Sequence, residues 1–87
     1  MDIQEIKDFI EEKTDEDVVV FDDYETAFLG ITLDNRAVYD YEEMVKYLME
    51  KDGIDMSEAI EWIDFNTIRA CDYIENPPII IQRFFPL

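Results

Sequence analysis

Eleven of the first 25 residues are carboxylates: Asp2, Glu5, Asp8, Glu11, Glu12, Asp15, Glu16, Asp17, Asp22, Asp23 and Glu25. Only Lys7 and Lys13 answer them, so this stretch alone carries a net charge of −9. An unpaired carboxylate is costly to bury. Any fold must therefore keep these side chains in water and build its core from the apolar residues threaded between them. The full 87 residues hold 23 acids against seven bases, for −16 at pH 7. Residues 26–53 contribute −3 and residues 54–87 contribute −4, so the negative field is lopsided. Self-repulsion of this kind works against a compact state, and a chain this short has little core to spare. Opposing it is a content of 48% hydrophobic and 14% aromatic residues, which disordered acidic chains lack. A single folded acidic domain over residues 1–87 is expected.

The same field narrows the set of partners. It repels phosphate backbones and anionic membrane surfaces, which argues against direct nucleic-acid or membrane binding. It attracts basic surfaces and speeds encounter with them; a purely solubilising role is the plainer reading. The single cysteine, Cys71, allows no disulfide within the chain. Met1-Asp2-Ile3-Gln4-Glu5 lacks the basic and apolar regions of a secretory signal. Aliphatic runs such as Ile79-Ile80-Ile81 are far too short to span a bilayer. A cytoplasmic location is expected.

Periodicity supplies the elements. Ile3, Ile6, Phe9 and Ile10 recur at helical spacing within residues 2–13, with Asp2 and Glu5 near the positive end of the dipole. Val18-Val19-Val20-Phe21 reads as a buried strand because it is continuous and largely β-branched. Ala27–Leu33 and Arg36–Tyr39 read as two more strands, joined at Asp34-Asn35, a pair that tolerates left-handed backbone. Gly30 marks a bulge or a close backbone approach. Asp40 is placed to cap a helix, with Glu43 three residues on, and Gly53 to end it. Within that helix Glu42 and Lys46 have the spacing of a favourable surface pair. Asp55 or Ser57 caps a third helix whose inner face carries Met56, Ala59, Ile60, Ile63 and Thr67. Trp62 and Phe65 widen that face and are expected in the core. Asn76-Pro77-Pro78 stops the helix before a last strand or extended arm. The result is an α+β fold, a three- to four-stranded antiparallel sheet packed against helices, in the order α-β-β-β-α-α-β.

Catalytic chemistry finds little support. Without histidine there is no Ser-His-Asp or Cys-His arrangement. Cys71 has only Arg69 close in sequence to lower its pKa, so a structural thiol is favoured over a nucleophile. One cysteine and no histidine cannot build a structural zinc site. Gly30 and Gly53 are the only glycines, which rules out a glycine-rich phosphate loop. Among 23 carboxylates some acid–base pairs arise by chance, and Asp52-Gly53-Ile54-Asp55 lacks the order of an EF-hand loop. A non-enzyme without cofactor or metal is expected.

The acidic rows carry more. Glu5, Asp8 and Glu12 share one face of the first helix, about 5–6 Å between neighbours, and such like-charge spacing costs helix stability. Glu58, Glu61 and Asp64 form a similar, drifting row on the third. A ladder of carboxylates that imitates nucleic-acid phosphates is one reading; an ordinary solvated face is the other. The tyrosines (Tyr24, Tyr39, Tyr41, Tyr47, Tyr73) read mainly as core cover, with some as interface anchors. The apolar Phe84-Phe85-Pro86-Leu87 tail packs on the sheet or is covered by a second copy.

Tyr39-Asp40-Tyr41-Glu42-Glu43-Met44-Val45 and Glu61-Trp62-Ile63-Asp64-Phe65-Asn66-Thr67-Ile68-Arg69-Ala70 resemble segments of a group of short acidic proteins from phages and prophages, mostly of unassigned function. The likeness covers roughly residues 18–81. Where Leu-Pro often follows the second segment in that group, this chain has Cys71-Asp72. The resemblance implies a viral setting, in which small acidic proteins often block host defence nucleases. Together these features lead to an acidic inhibitor or modulator of a basic, nucleic-acid-handling host protein, such as a CRISPR effector or restriction nuclease. Its candidate partner-binding residues are Glu5, Asp8, Glu11, Glu12, Asp15, Glu16, Asp17, Asp22, Asp23 and Glu25. The alternative is a small structural protein that self-associates, for instance as a homodimer, through Ile79–Leu87.

The charge excess has a direct thermal consequence. Raising NaCl from about 20 mM to about 300 mM shortens the screening length below ~10 Å. Relief of ~1 kcal/mol of repulsion in a domain this size lifts Tm by about 4–8 °C. Calorimetry across that salt range checks the sign.

Overall fold

The computed structural model describes residues 2–84 and gives an α+β fold. The first helix, α1, spans Ile3–Lys13. The Asp2 carboxylate caps it by accepting the Glu5 amide hydrogen at 2.9 Å, and Ile6 and Ile10 are buried beneath it. An irregular segment then leads to a 3₁₀ turn at Glu25–Ala27. Strands β1 (Phe28–Ile31) and β2 (Ala37–Asp40) form an antiparallel hairpin. Its register shifts between Phe28 and Gly30, whose φ of +151° few other residues would adopt. Asn35 takes the left-handed conformation in the connecting turn, φ 65°.

Helix α2 (Tyr41–Asp52) starts on Asp40, whose Oδ1 accepts from the Glu42 and Glu43 amides at 2.9 and 3.3 Å. It stops at Gly53, φ 64°, whose amide donates to the Met49 carbonyl. Asp55 rather than Ser57 caps the next helix, accepting from the Glu58 amide at 2.8 Å. That helix, α3, runs as α-helix over Met56–Trp62, as π-helix over Ile63–Ile68 and as α-helix again over Arg69–Cys71. Strand β3 (Ile79–Ile81) completes a sheet of order β1-β2-β3. On α2 the surface ion pair is Lys46 with Glu43 at 3.6 Å, one residue along from the expected Glu42.

Two expectations about the sheet need correction. β3 pairs parallel to β2, with Val38 opposite Ile79, so the sheet is mixed and not wholly antiparallel. A parallel neighbour needs a long crossover, and α2, α3 and the Asp72–Pro78 return supply it. Arg36 secures that return by donating from Nε to the Pro77 carbonyl at 2.9 Å. The second correction concerns Val18–Phe21, which is not a strand. Val18, Val20 and Phe21 pack at the margin of the core while Val19 faces water. The Phe21 amide donates to the Tyr39 hydroxyl at 3.1 Å, so a side chain takes the place of a strand partner. The apolar run is satisfied by packing without a ladder.

Aromatic rings hold the layers together. Phe9 of α1 meets Phe28 edge-on at 6.1 Å; Phe28 meets Tyr39 at 5.6 Å; Tyr39 meets Phe21 at 4.7 Å. The chain of contacts continues from Phe21 to Tyr24 and from Tyr24 to Tyr47 of α2, at 5.9 and 5.4 Å. These tilted and edge-to-face geometries suit ring quadrupoles and add to what area burial alone gives.

Asp40 is fully buried, and Arg83, just beyond β3, forms an ion pair with its Oδ2. The carboxylate thus joins β2, the start of α2 and the exit of β3. Replacing the exposed cap, Asp55→Ala, is expected to cost about 1 kcal/mol. Asp40→Ala, which removes a cap and breaks the ion pair with Arg83, is expected to cost about 2–4 kcal/mol by urea denaturation.

Burial raises the Tyr24 and Tyr39 phenols above the ordinary value of 10.0, partly offset by the hydrogen bonds to Thr67 and Phe21. The folded state thereby favours the neutral phenol. That contribution is complete below pH 10 and is lost as pH climbs through the raised values. Stability measured by urea unfolding should fall above about pH 10, and Tyr39→Phe should flatten the decline.

Candidate partner-binding surface

On α1 the buried and acidic faces oppose one another. At about 100° per residue, Glu5, Asp8, Glu11 and Glu12 centre on the side away from Ile6 and Ile10. All four are exposed. The Asp8 carboxylate accepts from Gln4 Nε2 at 2.9 Å. Glu5 also edges a shallow depression of about 300 Å³ with Phe9, Phe28 and Leu29.

The acidic face runs on into a loop. Thr14 ends α1 by donating its amide to the Ile10 carbonyl, and its hydroxyl accepts from the Glu16 amide at 3.1 Å. Asp15, Glu16 and Asp17 are all exposed on this anchored turn. Among the described residues the ion pairs of carboxylates involve only Glu43, Asp23 and Asp40. The scarce lysines and arginines therefore do not neutralise α1 or the loop after it. No three described acids converge as metal ligands would.

Asp22, Asp23 and Glu25 flank Tyr24 at the 3₁₀ turn. Asp23 is held in place: it pairs with Lys51 at 3.3 Å and accepts from the Tyr47 hydroxyl at 3.2 Å. Those contacts raise the Lys51 amine, with the Asp23 hydrogen bond as the largest cause. Burial, then the Asp23 charge, raises the Tyr47 phenol. Asp23 is thus a structural member of the acidic set. Glu25 begins the 3₁₀ turn and is half-buried, whereas Asp22 is exposed.

Tyr24, next to this pair, takes a left-handed backbone at φ 69° although it is buried. A non-glycine residue held there costs of order 1 kcal/mol and persists only where its surroundings impose it. Here its hydroxyl shares a 3.0 Å hydrogen bond with Thr67 of α3. That bond seats Asp22 and Asp23 against α3, and the two acids share a depression of about 250 Å³ with Trp62, Asn66 and Ile74.

The exposed side of α3 differs from the expectation that Trp62 and Phe65 join the core. Trp62 is 52% exposed and Phe65 54%, so neither belongs to the core. The helical wheel carried the signal: at about 100° per residue, Phe65 lies roughly opposite the Ile60–Ile63 direction. The inner row is Ala59, Ile63 and Thr67. Steps of four stay in line here because the π-helical turns are wider than 3.6 residues. Met56, expected inside, is exposed.

The acidic row of α3 also splits. Glu58 and Glu61 border a depression of about 280 Å³ with Trp62, Phe65 and Asn66. Asp64 turns instead to an open cleft of about 590 Å³ that Tyr41, Ile68, Cys71, Pro78, Ile80 and Gln82 also line. Burial, followed by the nearby Asp64 charge, raises the Tyr41 phenol. Burial and Asp72 push the Cys71 thiol up, the opposite of what a nucleophile requires.

No described helix is long and apolar enough to cross a membrane. The chain matches no family model, no curated protein and no solved structure.

Proposed function

We propose that this protein is a non-enzymatic, phage-encoded inhibitor or modulator that binds a basic, nucleic-acid-handling defence protein in the host cytoplasm, with a CRISPR effector or restriction nuclease as the target class. The observation that carries this reading is the state of the candidate carboxylates. Eight of the ten are exposed, and among the described residues only Asp23 of the ten is ion-paired. A solubilising surface gains from dispersing its charges. Here Glu5, Asp8, Glu11 and Glu12 share a helix face and lead into Asp15, Glu16 and Asp17. Their mutual repulsion is relieved when a cationic groove takes the place of water and counterions. A face of this kind presents a phosphate-like row to a surface built for nucleic acid.

A second reading, self-association through Ile79–Leu87, draws on Phe84, which is 87% exposed. Phe85, Pro86 and Leu87 lie outside the described residues.

The test is titration of the protein into DNA-cleavage reactions run by purified restriction endonucleases and guide-loaded CRISPR effectors. At least one enzyme should be inhibited, with relief by NaCl and by competing duplex or guide. Combined Asp15→Lys, Glu16→Lys and Asp17→Lys substitution should weaken inhibition about tenfold or more. Full inhibition by that triple variant would remove the loop from the interface. A stable oligomer by light scattering, with no enzyme inhibited, would favour self-association.

A further inference from the structure

We infer that the outer face of α3 is a second interaction site, built to take arginine side chains of a protein partner. Trp62 and Phe65 are large aromatic residues left half in water on a small domain that has every reason to bury them. They are walls of one depression of about 280 Å³, and Glu58 and Glu61 complete it. Aromatic faces beside carboxylates match a guanidinium, which stacks on rings and donates N–H groups to carboxylate oxygens in a planar fork.

The chain itself displays half of this arrangement. The Arg69 guanidinium carbon lies 4.5 Å from the centre of the Phe65 ring, so that ring already accepts a stacked guanidinium on one side. Asn66 donates from Nδ2 to the Trp62 carbonyl at 3.1 Å, which fixes the amide and leaves its Oδ1 to accept. Among the described residues neither Glu58 nor Glu61 is in an ion pair. The charge complementarity therefore points outward, to a cation supplied by another molecule.

Trp62 and Asn66 also line the neighbouring depression of about 250 Å³, where Asp22 is exposed. The two hollows flank a shared ridge, so a segment carrying two arginines fits the pair better than one carrying a single cation. Lysine offers the charge without the planar stack, and the face should distinguish them. No residue of α1 or of the Asp15–Asp17 turn lines either hollow, so either proposal can fail without the other.

Trp62 is the only tryptophan in the chain, so its emission reports on the site directly. The probes are capped deca-arginine and deca-lysine peptides, titrated at about 150 mM NaCl to screen diffuse attraction. Deca-arginine should shift or quench Trp62 emission and bind at least about tenfold more tightly than deca-lysine. Glu58→Gln with Glu61→Gln, and separately Phe65→Ala, should each weaken deca-arginine binding about tenfold. Glu42→Gln with Glu50→Gln, which removes the same charge from exposed positions of α2, should leave it within about twofold. Circular dichroism verifies that each variant is folded. Equal affinity for the two peptides would overturn the proposal. So would a Trp62 signal that does not respond, or losses that follow total charge wherever it is removed.

Discussion

The fold depends on two tyrosine hydroxyls that tie the segment after α1 to its neighbours, one of them standing where backbone pairing would otherwise be needed. Tyr39 is fully buried in β2 and receives the Phe21 amide; Tyr24 reaches across to Thr67 of α3. Between them they hold the Val18–Tyr24 segment against the sheet and helices without making it a strand. A buried amide left without a partner would cost ~1–3 kcal/mol, so the Tyr39 contact is a condition for this packing and not an accessory to it. The left-handed backbone of Tyr24, and through it the seats of Asp22 and Asp23, follow from the same two contacts.

Electrostatics then sorts the acids into two kinds. Asp2, Asp40 and Asp55 cap helices, and Asp23 and Asp40 each bind a basic residue. These offset part of the repulsion that a −16 chain must carry. Among the described residues, the exposed acids of α1 and the Asp15–Asp17 turn cap no helix and enter no ion pair. A carboxylate without a cation of its own is open to one supplied from outside.

Much of the fold was legible because local chemistry and final structure agree. Asp40, Gly53, Asn35 and Gly30 each announced a cap, a stop, a turn and a bulge, and each occupies that place. Failures came where tertiary contacts outvoted the local signal. Val18–Phe21 has strand-forming residues, but the Tyr39 hydroxyl and the neighbouring rings satisfied it another way. The parallel pairing of β3 was hidden because nothing in Ile79-Ile80-Ile81 specifies its direction. On the candidate site, exposure of the α1 acids could be read from spacing alone, whereas the seat of Asp22 and Asp23 could not. Trp62 and Phe65 lie outside the core because angular position on the helix outweighs their hydrophobicity, and the π-helical turns of α3 leave no simple mark in composition.

The parallel union of β2 with β3 carries a kinetic implication. Val38 finds Ile79 across 41 intervening steps of chain, and closing so large a loop costs entropy before any reward arrives. The β1–β2 hairpin and the α2–α3 pair are local by comparison and can form first. Sheet completion is then a late event on the folding route, with the Arg36 and Arg83 contacts acting as latches that keep the third strand from leaving.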